Sequence, residues 1–181
     1  MKHRILRITV ALFVMLFGLM AGIDVQANDG IEVAGDILVV ALPAAAVGLT
    51  IGLKDGQGTL QFAESAALAM GTTFALKFAI DKKRPNGENQ SFPSGHATIS
   101  FSSAEFIYKR YGWEYGLPAY ALATFISSSR IEADQHYPID VIGGAAIGIV
   151  NSYLFTRPYK GWTIQPEVGS SYFGIRLNHS L

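Results

Sequence analysis

The chain is cut into long apolar segments by short polar loops, and that division restricts it to packed helices. Residues 37–53 contain no charged side chain, and include Pro43 and two glycines. Their length is near the lower limit for a helix that crosses a bilayer, which needs about 20 apolar residues. Residues 54–58 are a turn. Residues 59–80 read as a second long helix rich in Ala, Met and Phe, with Glu64 as an acidic interruption of structural rather than catalytic character. A polar loop, DKKRPNGENQSF, fills residues 81–92. A third helix begins at Pro93-Ser94 and ends near Lys109-Arg110. Ser94 suits an N-cap, and the basic pair suits the negative end of the helix dipole. Residues 111–116 read as a short aromatic loop, 117–128 as a short fourth helix, and 131–137 as a polar loop. Pro138 is tolerated at a helix start. The fifth helix reaches about Phe155, and its Gly143-Gly144-Ala145-Ala146 run, with Gly148, permits close helix contact.

The ends read differently. Lys2, Arg4 and Arg7 precede residues 8–23, a run without charge, and Val25-Gln26-Ala27 offers the small residues of a cleavage site. This is the pattern of a secretory signal peptide. The run is short for a span, which favours cleavage over an uncleaved first transmembrane helix. Residues 28–36 are polar and read as an exposed leader. Residues 162–181 alternate loosely, as a short β-hairpin or an extended tail would. The expectation is an all-α, membrane-embedded bundle of about five helices behind a signal peptide. Its parts are a leader (1–27), a helical domain (28–160) and a short extended C-terminal tail (161–181).

Composition narrows the setting. Half of the residues are hydrophobic and 15% are charged, against about 25% charged in soluble domains; mean hydropathy is +0.28. Formal net charge is zero, so nothing in it suggests a surface for nucleic acid or another polyanion. Without cysteine there is no thiolate metal site and no disulfide. If the helices alternate across a membrane, Lys54, Lys109-Arg110, Arg157 and Lys160 fall inside, as the positive-inside rule expects. Lys82, Lys83, Arg84 and Arg130 then violate the rule on the outer face, and a functional need for cations there explains the violation.

Three fragments share that outer face: Lys77-x6-Arg84-Pro85, Pro93-Ser94-Gly95-His96, and Ser129-Arg130-x5-His136-x3-Asp140. A helix N-terminus with a glycine is an anion site, and His96 in its first turn can give a proton to a leaving oxygen. Alone, this is equally an ordinary capped helix with a surface histidine. His136 and Asp140 are four apart and share a face if helical, so the carboxylate can fix the imidazole tautomer. Alone, Asp140 is equally a helix cap beside an unrelated histidine. Lys77, Arg84 and Arg130 are each explicable as membrane-flanking charges. Their convergence with two histidines and an aspartate is better explained as a phosphate ester site, with cations for the anion, a nucleophile and a proton donor. Glu132 and Asp134 read as solvated loop charges.

Taken together, the fragments resemble the three-part signature of the type 2 phosphatidic acid phosphatase superfamily, which includes lipid phosphatases, bacterial non-specific acid phosphatases and vanadium haloperoxidases. Every signature position is filled between Lys77 and Asp140. The gap between Arg84-Pro85 and Pro93 is short, which implies a small lid and an open site. The resemblance implies that His136 is the nucleophile and forms a phosphohistidine. It implies that Asp140 orients His136, and that His96 protonates the departing alcohol and then activates water. Lys77, Arg84 and Arg130 would hold the phosphoryl oxygens, helped by Ser94 and the Gly95 backbone, with no metal and no cofactor.

The expected protein is a membrane phosphatase acting on a phospholipid or isoprenoid phosphate or pyrophosphate, in a bacterial inner membrane with its site towards the periplasm. A soluble periplasmic acid phosphatase, a vanadate-dependent haloperoxidase and a non-catalytic binder of lipid headgroups are the alternatives. Residues 37–53 and 138–155, apolar nearly all round, argue against the first, and the short chain against the second. The complete histidine and aspartate set argues against the third.

Overall fold

The computed structural model describes residues 27–159, 162–168 and 173–179. The signal-peptide expectation therefore lies outside the described residues. Five helices follow in order: α1 (Ala27–Gly52), α2 (Gly56–Ile80), α3 (Gly95–Tyr111), α4 (Trp113–Glu132) and α5 (Pro138–Phe155). Two strands, β1 (Trp162–Val168) and β2 (Phe173–His179), pair antiparallel with Trp162 opposite His179. The tail is thus a hairpin, one of the two forms its alternation allows.

Local chemistry sets the helix ends. Asp55 caps α2, its carboxylate accepting from Gly58 N at 3.0 Å. Ser94 caps α3 through Ala97 N at 3.4 Å. Asp140, the third residue of α5, accepts from Tyr137 N at 3.0 Å, which closes the start of that helix. Gly112, at φ 98°, separates α3 from α4 in a conformation that favours glycine.

Two expected boundaries are corrected. Residues 28–36 are the first turns of α1, not a leader. Gly35 lets the helix press against α4. A Cβ at Gly35 would lie 2.0 Å from Ser129 Oγ. The aromatic stretch after Tyr111 is also helical, because Gly112 alone makes the turn and α4 runs on to Glu132. There Gly116 packs against Tyr108, whose Cβ would be 2.5 Å from a side chain at position 116.

Helix α3 is the central element and touches each of the other helices. It meets α5 at very short range: a Cβ at Gly144 would fall 2.3 Å from Ser94 O, and one at Gly148 would fall 2.3 Å from Thr98 O. Small buried residues of α3 (Ala97, Ser100, Ser103, Ala104) make the same approach possible from its other sides. The apolar core lies between α1, α2, α3 and α4, with Leu38, Leu42, Phe62, Phe106, Ala123 and Ile126. Phe62 and Phe106 stack with centroids 5.0 Å apart.

The outward faces are also apolar. Val40, Phe78 and Leu154 are about 70% exposed, at 67%, 71% and 70%. Gly30–Gly52 and Pro138–Phe155 are long and apolar enough to cross a membrane, by length and composition. A bundle with so much aliphatic surface facing out, and serine and threonine facing in, is matched to a lipid solvent. The architecture is an all-α membrane bundle with a terminal hairpin.

Candidate active site

All eight sequence-predicted residues lie at one end of the bundle. Lys77 is in the last turn of α2, buried, with Nζ donating to Gln90 O at 2.5 Å. The loop after α2 folds on itself, with Arg84 N bonded to Glu88 O (2.7 Å) and Ser91 N to Lys82 O (2.7 Å). It is tied to the segment before α5 by Asn86 N to Asp134 O (3.1 Å) and by Arg84 Nη1 to Gln135 Oε1 (2.7 Å). These ties hold Arg84 in place and leave its Nε buried with no hydrogen-bond partner. The guanidinium charge is paired with Glu88, 3.2 Å from Nη1, but an orphaned N–H still costs about 1–3 kcal/mol unless an acceptor arrives. That donor is what an anion site requires.

Ser94 and Gly95 form the start of α3, anchored by Ser94 N to Asp140 O at 2.9 Å. Beside Gly95 there is room: an added Cβ would meet nothing nearer than Met70 Cε at 3.8 Å. His96 follows in the first turn and is partly exposed, with Nε2 3.0 Å from Asp36 Oδ1. Arg130 belongs to the last turn of α4, not to a loop, because that helix runs past the expected end. Its Nη1 donates to Asp36 at 2.8 Å, Nη2 to Glu32 O at 2.7 Å, and Nε to Ser129 Oγ at 3.1 Å.

His136 precedes α5 in a loop rather than sharing a helical turn with Asp140. The backbone reaches the same juxtaposition by another route: Gln135 N and His136 N both bond Arg130 O, at 3.0 and 3.1 Å. His136 is 4% exposed. Its Nδ1 is buried without a hydrogen bond and lies 4.0 Å from Asp140 Oδ2. Asp140 is fully buried and is engaged elsewhere, accepting from Lys82 Nζ (2.7 Å), Ser91 Oγ (2.5 Å) and Tyr137 N (3.0 Å). The carboxylate is therefore a fixed anchor one short step from the imidazole, not yet bonded to it.

Electrostatics couple the members of the group. Burial pushes the His136 imidazole down to about 4; Lys77 and Arg84 act in the same sense, and Asp140 and the Ser91 backbone oppose them. His136 is thus a neutral base at any ordinary pH. The charges of Arg84 and Arg130 both act on His96. Arg84 is the hub: its charge bears on Lys77, His96 and His136 alike. Glu132 and Asp134 are exposed, as expected of solvated charges.

Sequence reasoning missed Lys82, Ser91, Asp36, Glu32 and Gln135. Lys82 left a trace, as one of the outer cations that violate the positive-inside rule. Ser91 and Gln135 left none, since polar loop residues are common. Asp36 and Glu32 were hidden by the assignment of their segment to a leader.

The fold and site define a class: a bundle of membrane helices with a buried cluster of cations and two histidines at one end. A family model described as the PAP2 superfamily matches residues 58–163, which include all eight candidates. A lipid A 4'-phosphatase of Helicobacter pylori (strain J99) is 34% identical over 174 residues, covering 84% of this chain and 87% of that one. An undecaprenyl-diphosphatase, BcrC, of Bacillus subtilis (strain 168) is 34% identical over 76 residues, 40% of this chain and 37% of its own. Among solved structures, Aquifex aeolicus LpxE has the same fold, with a TM-score of 0.59 at 21% identity over 78% of this chain and 92% of that one. The chain belongs to the PAP2 superfamily, and its named relatives are phosphatase enzymes.

Proposed function

We propose that the protein hydrolyses the phosphate or pyrophosphate of a membrane lipid through a phosphohistidine at His136, without a metal. The observation that carries this reading is the buried, unsatisfied Arg84 Nε in one cationic cluster with the buried imidazole of His136. A donor without an acceptor, beside a neutral imidazole, is matched to an anion that the imidazole attacks. Lys77, Arg84 and Arg130 would hold the equatorial oxygens, where charge develops as the phosphoryl group transfers. Ser94 and the Gly95 N–H would assist at the start of α3.

His136 attacks phosphorus through the nitrogen that faces away from Asp140, and the bond to the leaving oxygen breaks. The imidazole becomes cationic, and Asp140 can then close the 4.0 Å gap to Nδ1. His96 gives its proton to the leaving oxygen, which departs as the alcohol. Neutral His96 takes a proton from water, whose oxygen attacks phosphorus; the P–N bond breaks, inorganic phosphate leaves and His136 is restored.

The phosphatase unit is residues 28–160, with 1–27 as a cleaved leader and 161–181 as a tail. Helix α3 runs from His96 at the site to Arg110, which meets Arg157 O at 2.7 Å at the far end. Placing that basic end in the cytoplasm puts the site towards the periplasm of a bacterial inner membrane. Within the lipid class, a phosphorylated glycolipid of the lipid A type is favoured by the near full-length likeness to a lipid A 4'-phosphatase.

The test is a trapped intermediate. Turnover of a phosphorus-labelled lipid phosphate, quenched in alkali, gives labelled protein bearing phosphohistidine, and His136→Ala gives none. Label retained by folded His136→Ala would contradict the mechanism.

A further inference from the structure

We propose that Asp36 is a positioning residue for the proton donor, holding His96 and Arg130 in their working relation from outside the segment that carries the signature fragments. The inference rests on the role given to His96 above. One oxygen, Asp36 Oδ1, accepts from Arg130 Nη1 at 2.8 Å and lies 3.0 Å from His96 Nε2. That single atom fixes the imidazole ring against the guanidinium. The PAP2 match begins at residue 58, so helix α1 and Asp36 lie outside it.

The seat for this contact is built into the helix. A Cβ at Gly35 would lie 2.0 Å from Ser129 Oγ and 2.9 Å from Arg130 Nη2. Only a residue without a side chain allows α1 to come so near. Arg130 Nη2 adds a second tie, to Glu32 O at 2.7 Å. Asp36 itself is half exposed, with 52% of its side chain accessible. It offers one oxygen to both Arg130, whose side chain is 4% exposed, and His96, and that sharing points to a role at the site.

Chemistry gives that role a direction. A proton donor must be an imidazolium, and His96 stands near two arginines that disfavour one. A carboxylate on one ring nitrogen favours the charged form and fixes the ring. With Nε2–H directed at Asp36, the remaining N–H, on Nδ1, is the one that gives its proton to the leaving oxygen. The alkoxide leaves as alcohol, and His96 is left neutral with Nε2 still facing Asp36. This assistance matters most where the leaving group is a poor one, such as an aliphatic or sugar alcohol. It matters least for a nitrophenol.

The test compares two esters in the full-length, detergent-purified protein: whichever alkyl phosphate it hydrolyses fastest from a panel of lipid phosphates that includes a lipid A phosphate, and p-nitrophenyl phosphate. In Asp36→Asn, kcat on the alkyl ester falls about ten-fold or more, part of the 10²–10⁴ that a general acid supplies. KM shifts little, and the loss on the aryl ester is several-fold smaller. His96→Ala shows the same imbalance, and Asp36→Glu, which keeps the carboxylate, moves the alkyl-to-aryl ratio back towards wild type. Equal losses on both esters overturn the proposal. So does a gain on both with tighter inhibition by inorganic phosphate, the behaviour of a carboxylate that merely competes for the anion site. Wild-type protein inactive on both esters overturns the phosphatase reading itself, and this proposal with it.

Discussion

Asp140 and His136 show how burial assigns work to single residues. Asp140 has no exposed surface and accepts hydrogen bonds from Lys82, Ser91 and the Tyr137 N–H. His136 beside it is denied its charge, chiefly by burial, and its pKa falls from the usual 6.5 to about 4. The sign is definite: as pH falls, free His136 stays neutral until about pH 4. We expect a histidine NMR titration of the substrate-free protein to place its midpoint below 5; a midpoint at or above 6.5 would contradict the burial argument. The same shift weakens folding in acid, because the unfolded chain takes up this proton near 6.5 and the folded one only near 4. The stabilising effect of neutral His136 is therefore whole above 6.5 and declines below it. Most of the candidate side chains were legible in the sequence, because their types and spacing are improbable in concert. The bonds of Asp140 were not, since a loop lysine and a loop serine carry no mark of where they fold.

Helices in this bundle are held close by missing side chains. At Gly148 a methyl group would lie 2.3 Å from Thr98 O and 2.8 Å from Ser102 N. Gly148→Ala is expected to cost about 1–3 kcal/mol, as overpacking does, seen as a lowered thermal midpoint in detergent. At Gly144 the methyl would meet Ser94 O at 2.3 Å. Gly144→Ala should therefore also lower kcat, because Ser94 caps the helix that presents His96. Gly71 is the contrast: it lies within α2 with nothing inside 4 Å of an added Cβ. Gly71→Ala should raise stability by about 0.5–1 kcal/mol; a loss there comparable to Gly148→Ala would undermine the packing account. The glycine run of α5 was readable as a close-contact surface because it stands inside an apolar helix. Gly35 was not, because it lies in a polar stretch next to the leader, and only the fold shows that α4 comes to meet it.

Across the molecule, the buried ion pairs lie at two ends, with apolar and hydroxyl side chains packed between. At the end away from the site, Arg110 donates to Asp55 through both Nε and Nη2, and Tyr111 and the Gly58 N–H complete the carboxylate's shell. Both side chains are about 95% buried, at 5% and 3% exposed. Arg110→Ala would leave Asp55 as an unpaired buried charge and cost about 3–5 kcal/mol. The pair is separated from His96 by about 21 Å along α3, at 1.5 Å per residue from His96 to Arg110, so the folded fraction of that variant should keep its kcat. The bundle and its site end were visible in advance, because hydropathy and charge report which segments cross and which ends are wet. The partners across the bundle were not, since long-range pairing depends on packing that no local pattern records.

Phosphate release by detergent-purified wild type and His136→Ala is the most direct measurement. The substrates are a panel of lipid phosphates that includes a lipid A phosphate, with EDTA present throughout. We expect the wild type to act strongly on one lipid class regardless of EDTA, and the variant to lose at least about 10³-fold while keeping its thermal midpoint. Undiminished release by the folded variant, or activity abolished by EDTA and restored by a divalent ion, would contradict a metal-free phosphohistidine mechanism.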